Sequence, residues 1–168
     1  MNSQKLKTAW VDTQVGRLTL VYEDAPLLVK RILLPGEEKY PSDQCLSFAD
    51  EGRPVSVELS RMVIDHLNGA RTQPPWDILS REGITPLQQA VYVQTAAIPY
   101  ASLASYGEIA ERIGRPKACR FVGSALAKNP FPILIPCHRV IRSDNKLGGF
   151  GGGLALKQLL IDFEARRA

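Results

Sequence analysis

The segment Asn129-Pro130-Phe131-Pro132-Ile133-Leu134-Ile135-Pro136-Cys137-His138-Arg139-Val140-Ile141 constrains this chain more than any other. An apolar run flanked by prolines reads as a buried, stiff, extended piece of chain, because each proline fixes φ and removes a backbone donor. Cys137 lies inside it, directly before two polar residues, so the core is interrupted at one point. Free cysteine is often simply a buried small hydrophobe. Asn129, His138 and Arg139 so close in sequence argue against that default and mark Cys137 as a candidate nucleophile.

A thiol must ionise to attack carbon. With an ordinary pKa near 8.5, only about 3% is thiolate at pH 7, and half ionisation needs roughly 2 kcal/mol of differential stabilisation. A neighbouring base or positive dipole can supply it, and His138 is the obvious base. Adjacent residues of an extended segment point to opposite sides. His138 is therefore expected to act through a bend or a bridging water.

The three cysteines, Cys45, Cys119 and Cys137, show no recurring spacing, which excludes a disulfide framework and suits free thiols in a reducing compartment. There is no C-x-x-C and no H-x-x-x-H, and the chain has only two histidines, so neither a metal nor any other cofactor is expected. No run of eighteen apolar residues appears, and Met1–Thr8 is polar, so a cytoplasmic protein is expected. The formal charge of +4 suits a polyanionic partner without requiring one.

Along the chain, Leu18–Tyr22 and Leu28–Leu34 read as strands, with turns at Val15-Gly16 and Asp24-Ala25-Pro26. From Pro54 to Leu67 the period becomes helical: Val55, Leu59, Met62, Val63 and His66 share a face, and Asn68-Gly69 ends it. His66 on that stripe reads as a structural histidine. Arg71–Gly83 has no period and reads as a linker. Thr85-Pro86-Leu87-Gln88 then opens a helix with a capping box, running to about Ala97. The expected fold is α/β (α+β): a small strand-and-helix domain over 1–80 and a mostly helical domain over 81–168.

Ser105-Tyr106-Gly107-Glu108 is a second capping box, and the short helix it starts stops at Gly114. A further helix at about Lys117–Lys128 completes the outline of a helix-turn-helix. Ala118, Phe121, Val122, Ala125 and Leu126 form its inward stripe. Arg120, Gly123, Ser124 and Ala127 face outward, with Lys117 and Lys128 at the ends. Small outward residues let a backbone approach a groove, and the lysines suit phosphates. The same outline also serves helices packed within a protein. Five glycines within 148–153 lack a P-loop ending; they read either as a connector or as a backbone wall against a flat ligand, with Phe150 on its ring. The last helix should bury Leu156, Leu159, Leu160 and Phe163, with Glu164 at its edge, either a surface acid or the acid that orients a histidine.

Ile135–Ile141 (I-P-C-H-R-V-I), with Ser105–Glu108 upstream and the glycines downstream, closely resembles the O6-alkylguanine-DNA alkyltransferase family. The resemblance covers nearly the whole chain, densest from Thr85 to Glu164. It implies a monomer that repairs double-stranded DNA containing O6-alkylguanine by moving the alkyl group irreversibly onto its own Cys137. In that reading Glu164, His138 and a water draw off the thiol proton, and Asn129 braces the turn. Tyr106 donates toward the departing guanine, and Arg120 replaces the flipped base while the recognition helix enters the minor groove. Carbonyls near Cys137 and Val140, with the backbone near Gly151, bind guanine edges.

Three departures stand out. Only Cys45 and His66 are available where zinc-bearing members hold their metal, Phe150 replaces a common tyrosine, and Ala101 replaces a frequent glycine. The alternative from another class is a lesion sensor of the alkyltransferase-like kind, which lacks the acceptor cysteine; the presence of Cys137 with His138 and Glu164 speaks for transfer. A cysteine hydrolase is more distant, since no oxyanion hole can be placed.

Overall fold

Three antiparallel strands form the first layer in a computed structural model that describes residues 6–37, 54–70 and 73–168. They are β1 (Lys7–Thr13), β2 (Gly16–Asp24) and β3 (Leu27–Leu33), in the order β1-β2-β3. Sequence reading located the second and third; β1 went unrecognised. Leu18, Leu20 and Tyr22 alternate into the main core, while Val21 on the opposite face is buried in a smaller cluster with Leu6 and Leu33. On β3, Val29 and Ile32 both point inward although three residues apart. The register shift beside Val21 and Tyr22 leaves Lys30 as the extra residue, which restores the inward phase.

Helix α1 (Pro54–Leu67) packs on the sheet through Leu59, Met62, Val63 and Leu67. His66 is buried with them, its Nδ1 2.9 Å from the Met62 carbonyl and its Nε2 3.0 Å from that of Gln73. This is the structural role expected of it. Gly69, at φ +75°, closes the helix where a Cβ would lie 2.8 Å from the Tyr100 ring.

The stretch after it is not a free linker over its described part. Val29 N donates to Ile78 O at 2.7 Å, Ser80 N donates to Val29 O at 2.9 Å, and Leu79 is buried. An edge strand offers unpaired backbone groups, and this segment satisfies them. Periodicity missed it because only one or two residues take part.

Both capping boxes form as read. Thr85 and Gln88 start α2 (Pro86–Ala96), and Ser105 and Glu108 start α3 (Tyr106–Arg112). Then come α4 (Cys119–Ala127) and α5 (Gly153–Ala165). Two short strands, β4 (Ala104–Ser105) and β5 (Val140–Ile141), pair in parallel, so the start of α3 lies beside the chain that follows Cys137.

One buried apolar cluster joins the halves, with Leu20 and Ile32 in it as well as Val122, Leu134 and Leu160. Ile32 N donates to Pro130 O at 2.8 Å, fixing the segment before the cysteine against β3. On α5, Leu159 is 40% exposed, against expectation, and Lys157 is buried instead. Among the described residues no helix is long and apolar enough to cross a membrane.

Candidate active site

Residues 131–136 form turns rather than the expected extended run, and Cys137–Arg139 is a single 3₁₀ turn. Tertiary contacts override the local preference. Asn129 accepts from Phe131 N at 3.0 Å and donates through Nδ2 to Ile135 O at 2.9 Å, pulling the segment round. Ile133 sits at φ +74°, which for a β-branched residue stores on the order of 1–2 kcal/mol of strain. Such outliers collect at functional sites.

The same Asn129 amide lies 3.3 Å from Cys137 Sγ. Cys137 is a free thiol, 8% exposed. Burial pushes its pKa above the ordinary value, against the Asn129 amide, the charge of Lys157 and the backbone N–H groups of Cys137 and His138. The resting thiol is therefore neutral.

His138 is 1% exposed, and its Nε2 donates to Glu164 Oε1 at 2.7 Å. Burial lowers its pKa, outweighing Glu164, so the ring is neutral. With Nε2–H committed to the carboxylate, Nδ1 is the basic atom; it is buried and has no hydrogen-bond partner among the described residues. Burial disfavours the charge on Glu164, but hydrogen bonds from His138 and Arg139 prevail and take its pKa down to about 2. Glu164 is thus an interior acid that orients the histidine and not a surface one.

Arg139 was noted in sequence only as a polar neighbour. Here its Nε and Nη2 each donate to Glu164 at 2.9 Å, and Nη1 donates to Ile98 O at 2.8 Å. Its guanidinium stacks 5.4 Å from the centre of the Tyr100 ring. Ala101 N supplies a further donor to Glu164 Oε2 at 3.1 Å. Ala101 holds φ +56°, which accounts for a glycine being favoured there.

Tyr106 is the first residue of α3, held beside β5 by the β4 pairing. Its hydroxyl donates to Gly149 O at 3.4 Å, and burial, then the charge of Cys137, raise its pKa. Tyr106 also borders an open cleft of about 880 Å³ between α4 and the glycine-rich segment, lined by Arg120, Gly123, Ala127, Phe150 and Gly151 among others.

The candidate residues therefore fall into groups. Asn129 meets the Cys137 thiol, and His138 meets Glu164; among the described residues no side-chain hydrogen bond joins the two pairs, which adjoin through the Cys137-His138 step of the chain. Tyr106, Arg120, Ala127, Phe150 and Gly151 line the cleft. Lys117, Ser124 and Lys128 are exposed outside its lining, and Lys117 precedes α4 instead of belonging to it. Val140 is fully buried, and its carbonyl already accepts from Lys157 Nζ at 2.6 Å.

Lys157 leaves no functional mark in the sequence, and Ala101 stands out there only as the replacement of a frequent glycine. The available signal was a lysine at 157, three and seven residues before Leu160 and Glu164, on the buried face of α5. Among the described residues no group of three or more His, Cys, Asp or Glu is placed to hold a metal; Cys45 lies outside them.

Residues 86–166 match the family model described as the 6-O-methylguanine DNA methyltransferase DNA-binding domain. A Mycolicibacterium paratuberculosis methylated-DNA--protein-cysteine methyltransferase is 51% identical over 159 residues, covering 94% of this chain and 92% of that protein. A Mycobacterium tuberculosis protein of the same name is 37% identical over 161 residues, with the same coverage. The crystal structure of Mycobacterium tuberculosis OGT in complex with DNA superposes with a TM-score of 0.79 at 34% identity, covering 96% of this chain and 94% of that one. With this similarity running nearly end to end, the chain belongs to the methylated-DNA--protein-cysteine methyltransferase family.

Proposed function

We propose that this protein repairs O6-alkylguanine, and O4-alkylthymine, in duplex DNA by a single irreversible transfer to Cys137. The observation that carries the reading is the buried Cys137, His138 and Glu164 arrangement behind Tyr106, which feels the charge of Cys137 and lines a cleft walled by the small-residue face of α4. As the sulfur attacks, the S–C bond forms and the O6–C bond breaks, leaving the electron pair on the guanine. The thiol proton passes through a water to His138 Nδ1, and Glu164 stabilises the imidazolium. Tyr106 turns from Gly149 O to donate to the departing guanine, an interaction that grows as charge develops.

A base inside a duplex cannot reach an interior thiol, so the damaged nucleotide must leave the stack. Arg120, exposed on α4 at the cleft, has the reach to take its place. The small face of α4 suits the minor groove, with Lys117, Ser124 and Lys128 near phosphates. Gly151 offers backbone groups to guanine edges, Val140 offers the lone pair of its carbonyl that Lys157 leaves free, and Phe150 offers its ring. In this reading the protein acts as a monomer, and a free acceptor thiol suits the reducing cytoplasm.

The experiment is intact-mass analysis after incubation with a duplex containing O6-methylguanine. One methyl group per protein, mapped to Cys137 and never exceeding one equivalent over excess DNA, is expected. Turnover beyond one equivalent, or a methyl group on Cys119 or Cys45, overturns the proposal.

A further inference from the structure

Lys157 is fully buried in α5 and takes no part in the proton path described above. Its Nζ donates to Val140 O at 2.6 Å, to Leu147 O and to Gly149 O at 3.3 Å. An ammonium carries three protons, and here three backbone carbonyls receive them. The acceptors come from two separate pieces of chain. Val140 lies in β5, three residues after the acceptor cysteine, whereas Leu147 and Gly149 belong to the glycine-rich cleft wall. Glycines bring no side chains with which to hold such a wall. Tyr106 adds a second restraint on the same side, its ring 5.8 Å from Nζ and its hydroxyl donating to Gly149 O, while farther along Phe150 packs on the core and its carbonyl accepts from Gly153 N at 3.1 Å. Gly148, at φ +68°, lies so close that a Cβ there would be 2.8 Å from that ring.

We propose that Lys157 is a positioning residue for alkyl transfer: its ammonium fastens the glycine-rich wall to the segment bearing the acceptor thiol and so fixes the shape of the guanine pocket. The proposal rests on the transfer reading above and adds a component to it. The titratable groups facing the ammonium are the thiol of Cys137, the phenol of Tyr106 and the imidazole of His138. Burial brings the pKa of Lys157 down to about 8, against the pull of a Cys137 thiolate. The ammonium is present below that pH and lost as pH rises through it. A neutral amine has two protons for three carbonyls, so one acceptor is released and the wall loosens.

The test measures single-turnover transfer at saturating methylated duplex, duplex affinity and thermal melting, on the whole chain, for wild type, Lys157→Met and Lys157→Arg. Lys157→Met should bind duplex within about twofold of wild type, since the exposed face of α4 is untouched. Its saturated rate should fall on the order of a hundredfold, the effect of a misplaced pocket. The wild-type rate should rise with thiol ionisation and bend downward above about pH 8. Lys157→Arg, whose guanidinium stays charged, should lack that bend. A purely structural lysine would not produce this difference. A folded Lys157→Met with the wild-type rate, a bend unchanged in Lys157→Arg, or no bend in wild type would each overturn the positioning role. If Lys157→Met fails to fold, the two pH profiles decide. Absence of any wild-type transfer would sink both readings, whereas wild-type transfer with indifferent variants would sink this one alone.

Discussion

Cys137, His138 and Glu164 are 8%, 1% and 2% exposed, whereas Arg120 and Ser124 stand on an open face of α4 and Lys128 is exposed just past its end. The two regions obey different electrostatics. In the interior, desolvation sets the resting charge of each group: the thiol is held neutral, the imidazole is held neutral, and Glu164 is ionised only because His138, Arg139 and Ala101 satisfy it. On the open face, charges are hydrated and screened, so each contributes little alone and acts through its reach toward DNA. Losses in the interior should therefore appear in chemistry and stability. Losses on α4 should appear only when a duplex is the substrate.

The sharpest separation comes from Cys137→Ser. Transfer should fall to background while binding of alkylated duplex stays near wild type, because a hydroxyl is a far poorer nucleophile near neutral pH and the α4 surface is intact. Loss of binding together with transfer, in a gel-shift assay, would break the division. Next is Glu164→Gln, which leaves the buried guanidinium of Arg139 without its counter-charge. Removing one partner of such a pair costs about 3–5 kcal/mol, and transfer should slow about a hundredfold as His138 loses its orienting acid.

Acid should reproduce part of that loss in the unmutated protein. The pKa of Glu164 is depressed in the fold to about 2. Its contribution, roughly 3 kcal/mol, is then complete above its ordinary value near 4.5 and lost as pH falls toward 2. Denaturant melts from pH 7 to pH 3 should show this sensitivity in wild type and lose it in Glu164→Gln.

Arg120→Ala should have a smaller and conditional effect. At saturating duplex, transfer should slow roughly tenfold or more, since the extruded base would leave a gap whose unstacking costs a few kcal/mol. Free O6-alkylguanine base, which needs no extrusion, should react as with wild type. Equal duplex rates at saturation would reduce Arg120 to one phosphate contact among several. The smallest effect is Ala101→Gly. Relief of the left-handed alanine, partly offset by glycine's greater chain entropy, should raise stability by about 0.5–1 kcal/mol in denaturant melts. Transfer should not change, because the N–H donated to Glu164 remains.

Local signals were the ones legible in the sequence. The boxes Thr85/Gln88 and Ser105/Glu108 involve residues three apart, and α1 is fixed by its own apolar period, so both emerged with near-correct limits. The grouping around Cys137 was readable because the thiol, the histidine and Asn129 lie within ten consecutive residues. What escaped depends on distant partners. Ala101 meets Glu164 from 63 residues away and Arg139 meets it from 25, and neither spacing leaves a mark on periodicity. The segment before Cys137 turns instead of extending because Asn129 and β3 hold it, which no reading of its prolines reveals. Lys157 was hidden by a sound rule, that lysine seeks water, broken here by three carbonyls.

The burial of Cys137 also bears on chemistry that the protein must avoid. A nucleophile that reacts once and is not regenerated is wasted by any stray oxidant or soluble electrophile. Such reagents attack thiolates and need access. In this fold they meet Cys119, exposed at the start of α4, while Cys137, the acceptor we propose, stays protonated and enclosed. Dormancy until a substrate fills the pocket thus gives the acceptor chemical selectivity, and it arises from desolvation alone.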